Sequence, residues 1–315
     1  MKVFRSVAEI PEGFGPSAVT IGKFDGVHTG HRAVIRRLCE VAAQQRLTPT
    51  VITFDRNPLE LLAPEKCPPS LVSIPQKLDL LAGTGVDATL LVTFDRALAD
   101  LEPEAFVHHI LVDRLHTAAV LVGSDFRFGA RGSGDVAMLR ALGTRFGFTV
   151  HLIDDVRPEH GRRVSSTWIR DLLADGDVRH AAELLGHVPT VRGVVVHGAA
   201  RGRELGYPTA NLDPESEGLI PADGVYAGWL TDDDGRRYPA AISVGNNPTF
   251  EGVPQKQVEA YVLDRELDLY DHRVEVSFVE RIRGMVAYEG VEPLIAQIAA
   301  DVDRARDILA AEPAV

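Results

Sequence analysis

The sequence predicts an α/β-plus-β protein: a doubly wound parallel sheet, then an antiparallel β-barrel with a closing C-terminal helix. Three observations predict it. Up to about residue 186, short apolar runs alternate with amphipathic helical segments, as in a parallel sheet with crossover helices. From Val191 the pattern turns to strands with no helix-length segment between them, which favours antiparallel pairing. Between the two lies Gly186-His187-Val188-Pro189-Thr190, where Gly and Pro break a helix. The expected domains are therefore 1–186 and 187–315.

The elements follow in order. Ala18–Ile21, Thr50–Phe54, Ala88–Thr93, Ala119–Val122 and Thr149–Ile153 are short and rich in Val, Ile, Thr or Leu, as buried parallel strands are. His31–Gln45 reads as a helix with Val34, Leu38 and Val41 on one face. Pro103–Leu115 reads as another, with Pro103 at its start and Phe106, Val107, Ile110 and Leu111 inward. Val136–Phe146, Thr167–Ala174 and Val178–Leu185 are further helices, the last capped by Gly186. In the second part VRGVVVHG, GVYAGWLTD, RRYPAAISVG, VEAYVLD and RVEVSFVERIR read as strands, and Asp234-Gly235 signals a hairpin. The closing helix has Val291, Leu294, Ile295, Ile298, Val302, Ala305 and Leu309 on one face. The tail Ala311–Val315 is expected to fray.

Composition narrows the function classes. The chain has 315 residues, 45% of them hydrophobic, and a net charge of −12. That is a globular composition, and the acidity disfavours nucleic-acid or anionic-membrane partners. No apolar run is long enough to cross a bilayer. The opening MKVFRSVAEIPEGFGPS lacks the apolar core of a secretory signal, so a cytoplasmic location is expected. Cys39 and Cys67 are not in a Cys-x-x-Cys pair, and two incidental thiols are expected. Homo-oligomerisation is left open. Most of the net negative charge falls in the second part, while the first is richer in arginine, which suits phosphate.

One segment of the first half stands out. GKFDGVHTGH follows the first expected strand and opens the first helix. Gly22, Gly26 and Gly30 let the backbone turn and approach a ligand. The helix start offers free N–H groups and a positive dipole end. His28 and His31, three apart, can share a face there. Two imidazoles beside such donors can stabilise charge on a phosphate in transfer without a covalent intermediate. The spacing is neither a Walker A loop nor a Gly-x-Gly-x-x-Gly turn.

These residues resemble the nucleotidyltransferase superfamily, and GKFDGVHTGH is similar to the adenylyltransferase module of bacterial riboflavin kinase/FAD synthetases. SDFRFGARGSGD at 124–135, VSSTWIR at 164–170 and LADLEPEAFVHHIL at 98–111 are similar to that family as well. The resemblance implies a Rossmann-like domain in which Gly22, Phe24, Asp25, Gly26, Gly30, Ser166, Thr167 and Arg170 bind ATP and His28 and His31 are catalytic. It suggests that Asp125 orients nucleotide or flavin. Phe126 and Phe128 either contact an aromatic ring or pack in the core at alternating positions. Ser166 and Thr167 also suit a helix start. If the strand order is 3-2-1-4-5, the loops leaving strands one and four meet where the order reverses, the place where such sheets bind ligands.

The second half carries GRELGYPTANL at 202–212, which resembles the Pro-Thr-Ala-Asn signature of riboflavin kinases. ISVGNNPTFEG, VEAYVLD and DLYDHRVEVSF are similar to the same family. The resemblance implies that Thr209 and Asn211 hold the Mg²⁺ of MgATP, as hard oxygen donors can. It implies that Gly198, Gly202 and Gly206 form a phosphate loop. Glu259 would be the general base for a ribityl hydroxyl, on the same strand face as Tyr261. Together the motifs imply phosphorylation of riboflavin to FMN and adenylylation of FMN to FAD, with ATP as the common co-substrate.

The chain departs from the family pattern at Arg56 and Asn57 in TFDRNPLE, at Ala199, and at Ala287 and Gly290. The first departure motivates one rival, a riboflavin kinase with an inactive adenylyltransferase domain. A non-catalytic flavin-binding regulator is another. It predicts loss of the base or the metal ligands, which the sequence does not show.

Overall fold

The computed structural model describes residues 1–153, 161–198, 201–246 and 256–311. Ala199, the segment 247–252 of ISVGNNPTFEG and the tail 312–315 lie outside them. The described chain divides into two compact units, Met1–Ser165 and Ser166–Val315.

The first unit is a parallel sheet of six strands: β1 (Lys2–Phe4), β2 (Ser17–Ile21), β3 (Thr48–Phe54), β4 (Ala88–Val92), β5 (Thr117–Gly123) and β6 (Thr149–Ile153). Their order is β1-β4-β3-β2-β5-β6. The 3-2-1-4-5 order on which the meeting of the two loops depends is present in β4-β3-β2-β5-β6. The addition is β1, a three-residue edge strand parallel to β4. It is too short to show a period.

All five residues of β2 and of β4 are buried, as strands covered on both faces must be. One face packs against α1 (Thr29–Gln45) and α2 (Ile74–Ala82) through Ile35, Leu38, Val51 and Leu81. Each such burial contributes about 1.5–3 kcal/mol. The inward stripe of α1 centres on Ile35, Leu38 and Val41, with Val34 only half-buried. The expected helix over 103–115 is a short α3 (Pro103–Phe106) that runs on as a π turn, Val107–Val112. There the Asp113 N–H donates to the His108 carbonyl at 2.9 Å. The four expected inward residues are all buried. Next comes α4 (Val136–Phe146).

The second unit opens with α5 (Ser166–Asp175) and α6 (Val178–Leu185). Gly186 caps α6 at φ 72°, the left-handed geometry glycine allows. The barrel strands are β7 (Thr190–Val196), β8 (Ala210–Leu212), β9 (Gly224–Thr231), β10 (Arg237–Asn246), β11 (Lys256–Val262) and β12 (Arg273–Arg283). They close antiparallel in the order β10-β11-β8-β7-β12-β9. Asp234-Gly235 lies in the β9–β10 hairpin as expected. Tyr226, Ile242, Val276 and Phe278 are among the side chains with 0% exposure. The closing helix α7 (Val291–Ala311) buries Val302, Ala305, Ile308 and Leu309 against the barrel. Its first turns differ from expectation: Val291 is 58% and Ile295 37% exposed. The apolar stripe outruns the surface available to cover it.

Candidate functional site

The first site begins where β2 ends. Phe24, Gly26 and Val27 have φ of 49°, 79° and 40°, so the chain makes a run of left-handed turns that side-chain residues resist. Side chains hold this path. Thr53 Oγ1 donates to the Lys23 carbonyl at 3.0 Å. Asp25 Oδ1 accepts the Leu71 N–H at 2.9 Å. The loop delivers His28 to the N-cap of α1, where its Nδ1 accepts the His31 N–H at 3.3 Å. That bond assigns the His28 ring proton to Nε2.

The two imidazoles stack, with centroids 3.6 Å apart and planes 16° from parallel. Gly30 makes room for this, because a Cβ there would lie 3.1 Å from the His28 ring. Phe24 leans on His31 at 5.1 Å. His28 is only 6% exposed. Burial, then the nearby Arg163 charge, pushes its pKa down to about 4. Burial also holds His31 well below the usual histidine range, helped by His28, Lys23, Arg163 and Lys77. Both rings are therefore neutral near neutral pH. His31 Nδ1 is buried with no hydrogen-bond partner among the described residues.

β5 lies beside β2 at the reversal of the strand order, so its loop leaves the same end of the sheet. Asp125 on that loop pairs with Arg163 at 2.8 Å, and the guanidinium holds its carboxyl below the usual range. Phe126 and Phe128 stack at 5.6 Å. Phe128 is buried in the core beside Phe106, while Phe126 is only partly buried against it. Core packing thus accounts for Phe128. Ser166, Thr167 and Arg170 open α5, in the second unit. Thr167 is exposed, and Ser166 and Arg170 are half-buried. Sequence reasoning missed Arg163 and Lys77. Arg163 directly precedes the Val164–Arg170 motif, and that adjacency was the available signal.

The second site is built on β8. This three-residue strand begins within Pro-Thr-Ala-Asn and ends at Leu212. It pairs with β7 on one side and β11 on the other. Asn211 stands directly opposite Glu259 in that register, which puts both side chains on one face within reach of each other. Val258, Ala260 and Val262 are buried on the other face, so Glu259 and Tyr261 share a face as expected. Asn211 Nδ2 donates to the Thr209 carbonyl at 3.1 Å and to Thr209 Oγ1 at 3.3 Å. This leaves Asn211 Oδ1 as the amide's oxygen donor. Gly198 is required for this placement, since a Cβ there would lie 2.6 Å from Asn211 Cγ and Oδ1. The Leu205 and Tyr207 N–H groups return to the Gly202 carbonyl, and Gly202 lies in a short helical turn, Arg201–Glu204, packed beside Thr209. A cavity of about 730 Å³ opens here, lined by Arg203, Gly206, Thr209, Arg265, Asp268 and Tyr270 among others. A hydroxyl and an amide oxygen together suit a hard cation such as Mg²⁺.

The Arg56–Asn57 departure has a local explanation. Asn57 caps the short helix Pro58–Leu62 in a reciprocal box with Glu60, and Arg56 pairs with Asp55 at 3.6 Å.

Known proteins align with both sites. A family described as FAD synthetase matches residues 11–168, and one described as riboflavin kinase matches 185–309. A bifunctional riboflavin kinase/FMN adenylyltransferase of Escherichia coli K12 is 38% identical over 308 residues, covering 98% of this chain and 97% of that protein. The Pseudomonas fluorescens protein of the same name is 36% identical over 310 residues, covering 98% of each. A crystal structure described as a macrolide-efflux protein from Streptococcus pneumoniae superposes with a TM-score of 0.86. It is 31% identical and the match covers 97% of this chain and 98% of that one. Among the described residues no helix is long and apolar enough to cross a membrane. Two family matches in the order of the two sites, and relatives aligned from end to end, place this chain in the bifunctional riboflavin kinase/FMN adenylyltransferase family.

Proposed function

We propose that the chain phosphorylates riboflavin with MgATP to FMN, and then joins FMN to the AMP of a second ATP, giving FAD and pyrophosphate. The observation that carries this reading is the pairing of two separate constellations. One is the stacked His28–His31 pair at the carboxyl end of a parallel sheet. The other is Glu259 set opposite Asn211 on the barrel. The adenylyltransferase domain is assigned to 1–186 and the kinase domain to 187–315.

In the kinase step Glu259 takes the proton of the ribityl 5′-hydroxyl as its oxygen bonds to the γ-phosphorus and ADP leaves. Thr209 and Asn211 would hold Mg²⁺, which offsets polyphosphate charge when bound. The Gly198, Gly202 and Gly206 loop would sit against the phosphates, with the nucleotide in the cavity beside Thr209 and Tyr270. In the adenylyl step an FMN phosphate oxygen bonds to the α-phosphorus of ATP as the bond to pyrophosphate breaks. His28 and His31, neutral beforehand, donate hydrogen bonds to the charge that gathers. A buried donor of this kind contributes about 3 kcal/mol. Gly22, Phe24, Asp25, Gly26 and Gly30 would shape the nucleotide cradle, and Ser166, Thr167 and Arg170 would hold ATP phosphates. Asp125 would orient nucleotide or flavin. Phe126 would offer its free ring surface to the ligand, with Phe128 supporting it from the core.

The test is a product assay with riboflavin, ATP and Mg²⁺, separating riboflavin, FMN and FAD by chromatography. FAD from riboflavin supports both activities. FMN with no FAD, even from supplied FMN, leaves the rival reading of a kinase with an inactive first domain. Formation of neither product overturns the proposal.

A further inference from the structure

The first unit buries a lysine that neither step above uses. Lys77 is 6% exposed and sits in the first turn of α2, just after the Ser73–Gln76 capping box. The location opposes a cation twice. Burial strips its water, and the first turn of a helix repels positive charge. Burial has its effect, pushing the Lys77 pKa down to about 8 against the pull of Asp25, Asp55 and Glu60. A methionine would fill the same space without either cost.

The ammonium has two backbone partners. Lys77 Nζ donates to the Phe54 carbonyl at 2.8 Å and to the Lys23 carbonyl at 3.3 Å. Phe54 is the last residue of β3. Lys23 immediately precedes the left-handed run at Phe24, Gly26 and Val27. One buried charge therefore fastens the start of the strained loop to the end of the neighbouring strand. The same charge acts on His31 through space.

We propose that Lys77 is a positioning residue for adenylyl transfer. Its ammonium clamps the Lys23 carbonyl to the end of β3, so that the following loop presents His28 and His31 in their stacked arrangement. It also adds positive charge beneath a site for polyphosphate. The proposal rests on the adenylyltransferase reading. It gives a physical reason for a charge in a place that disfavours one, and it links α2, which carries no motif, to the chemistry of the loop.

The test uses the full chain with Lys77→Met, which keeps volume and removes charge and donors, and Lys77→Gln, which keeps a donor without the charge. FMN-to-FAD and riboflavin-to-FMN rates are measured on the same preparations across a pH series. Lys77→Met is expected to lower the adenylyl kcat by about tenfold or more, with kinase turnover unchanged within about twofold. Lys77→Gln is expected to recover part of that loss. Wild-type adenylyl kcat should fall as pH rises through 8 and above, where Lys77 loses its proton, and both variants should lack this limb. Asp25, Asp55 and Glu60 all act on the ammonium through space, while His31 and Lys23 lie nearby. A Lys77→Met protein with unchanged adenylyl kcat overturns the proposal. So does an alkaline limb that persists in either variant. Should Lys77→Met fail to fold, the limb in Lys77→Gln decides by the same criterion. Wild-type protein that makes no FAD from FMN overturns the adenylyltransferase reading and this proposal with it.

Discussion

The two proposed sites differ in how their surroundings would meet phosphate. Around the stacked histidines the protein supplies its own cations, since Lys23, Lys77 and Arg163 all act on His31. Around Glu259 the oxygens proposed to hold Mg²⁺, on Thr209 and Asn211, are neutral, the adjoining cavity carries Arg203 and Arg265 beside Glu266 and Asp268, and the unit is strongly acidic. The first site rests on a strained loop beyond a strand, held by side-chain bonds to backbone. The second rests partly on strand register. A loop at the reversal of a parallel sheet is adjacent to helix N-termini and can collect donors. An antiparallel strand pair offers two side chains at a defined separation and little positive field of its own, so positive charge there would come from a cation held on the pair and from cavity arginines such as Arg203 and Arg265.

Glu259→Gln tests this contrast most severely. It should lower FMN formation by about 10²–10⁴-fold while FAD formation from supplied FMN stays unchanged. A loss in both products would break the separation of the sites. His28→Ala should do the converse, lowering FAD formation by about 10²–10³-fold with riboflavin phosphorylation intact. Some of that loss comes from uncapping α1, which costs about 1 kcal/mol of stability, so His28→Asn separates cap from chemistry. Gly198→Ala should lower kinase turnover by about tenfold and raise the Mg²⁺ requirement, because its methyl displaces Asn211.

Acid should reach the first unit through its histidines. His28 titrates near 4 folded and about 6.5 unfolded. The unfolded chain therefore binds more protons between those values, and stability falls as pH drops from 6.5 towards 4. The loss approaches about 3 kcal/mol at the acid end. Chemical denaturation of wild type and His28→Asn at several pH values measures it; equal slopes would remove the buried neutral pair from the comparison. The smallest effect is expected at Asn57→Ala. It should cost about 1 kcal/mol of stability from the lost helix cap, with FAD formation nearly unchanged. A large loss of FAD formation would give the Arg56–Asn57 departure a functional meaning.

The sequence by itself determined the strand–helix alternation, the change to a barrel, the Gly186 cap and the motif of each site. Those follow from local periodicity and turn chemistry, which neighbouring residues encode. Only the tertiary structure decided the rest, the order of the sheet included. Two three-residue strands, β1 and β8, are too short to show a period, and their pairing energy comes from distant partners. The exposure of Val291 and Ile295 depends on how far the barrel surface extends beneath α7. Burial of Phe128 beside Phe106, the Lys77 clamp and the Arg163–Asp125 pair each join residues far apart in the chain. The neutrality of His28 and His31 has the same origin. Ionisation depends on dielectric and on charges through space, and these exist only once the chain has folded around the pair.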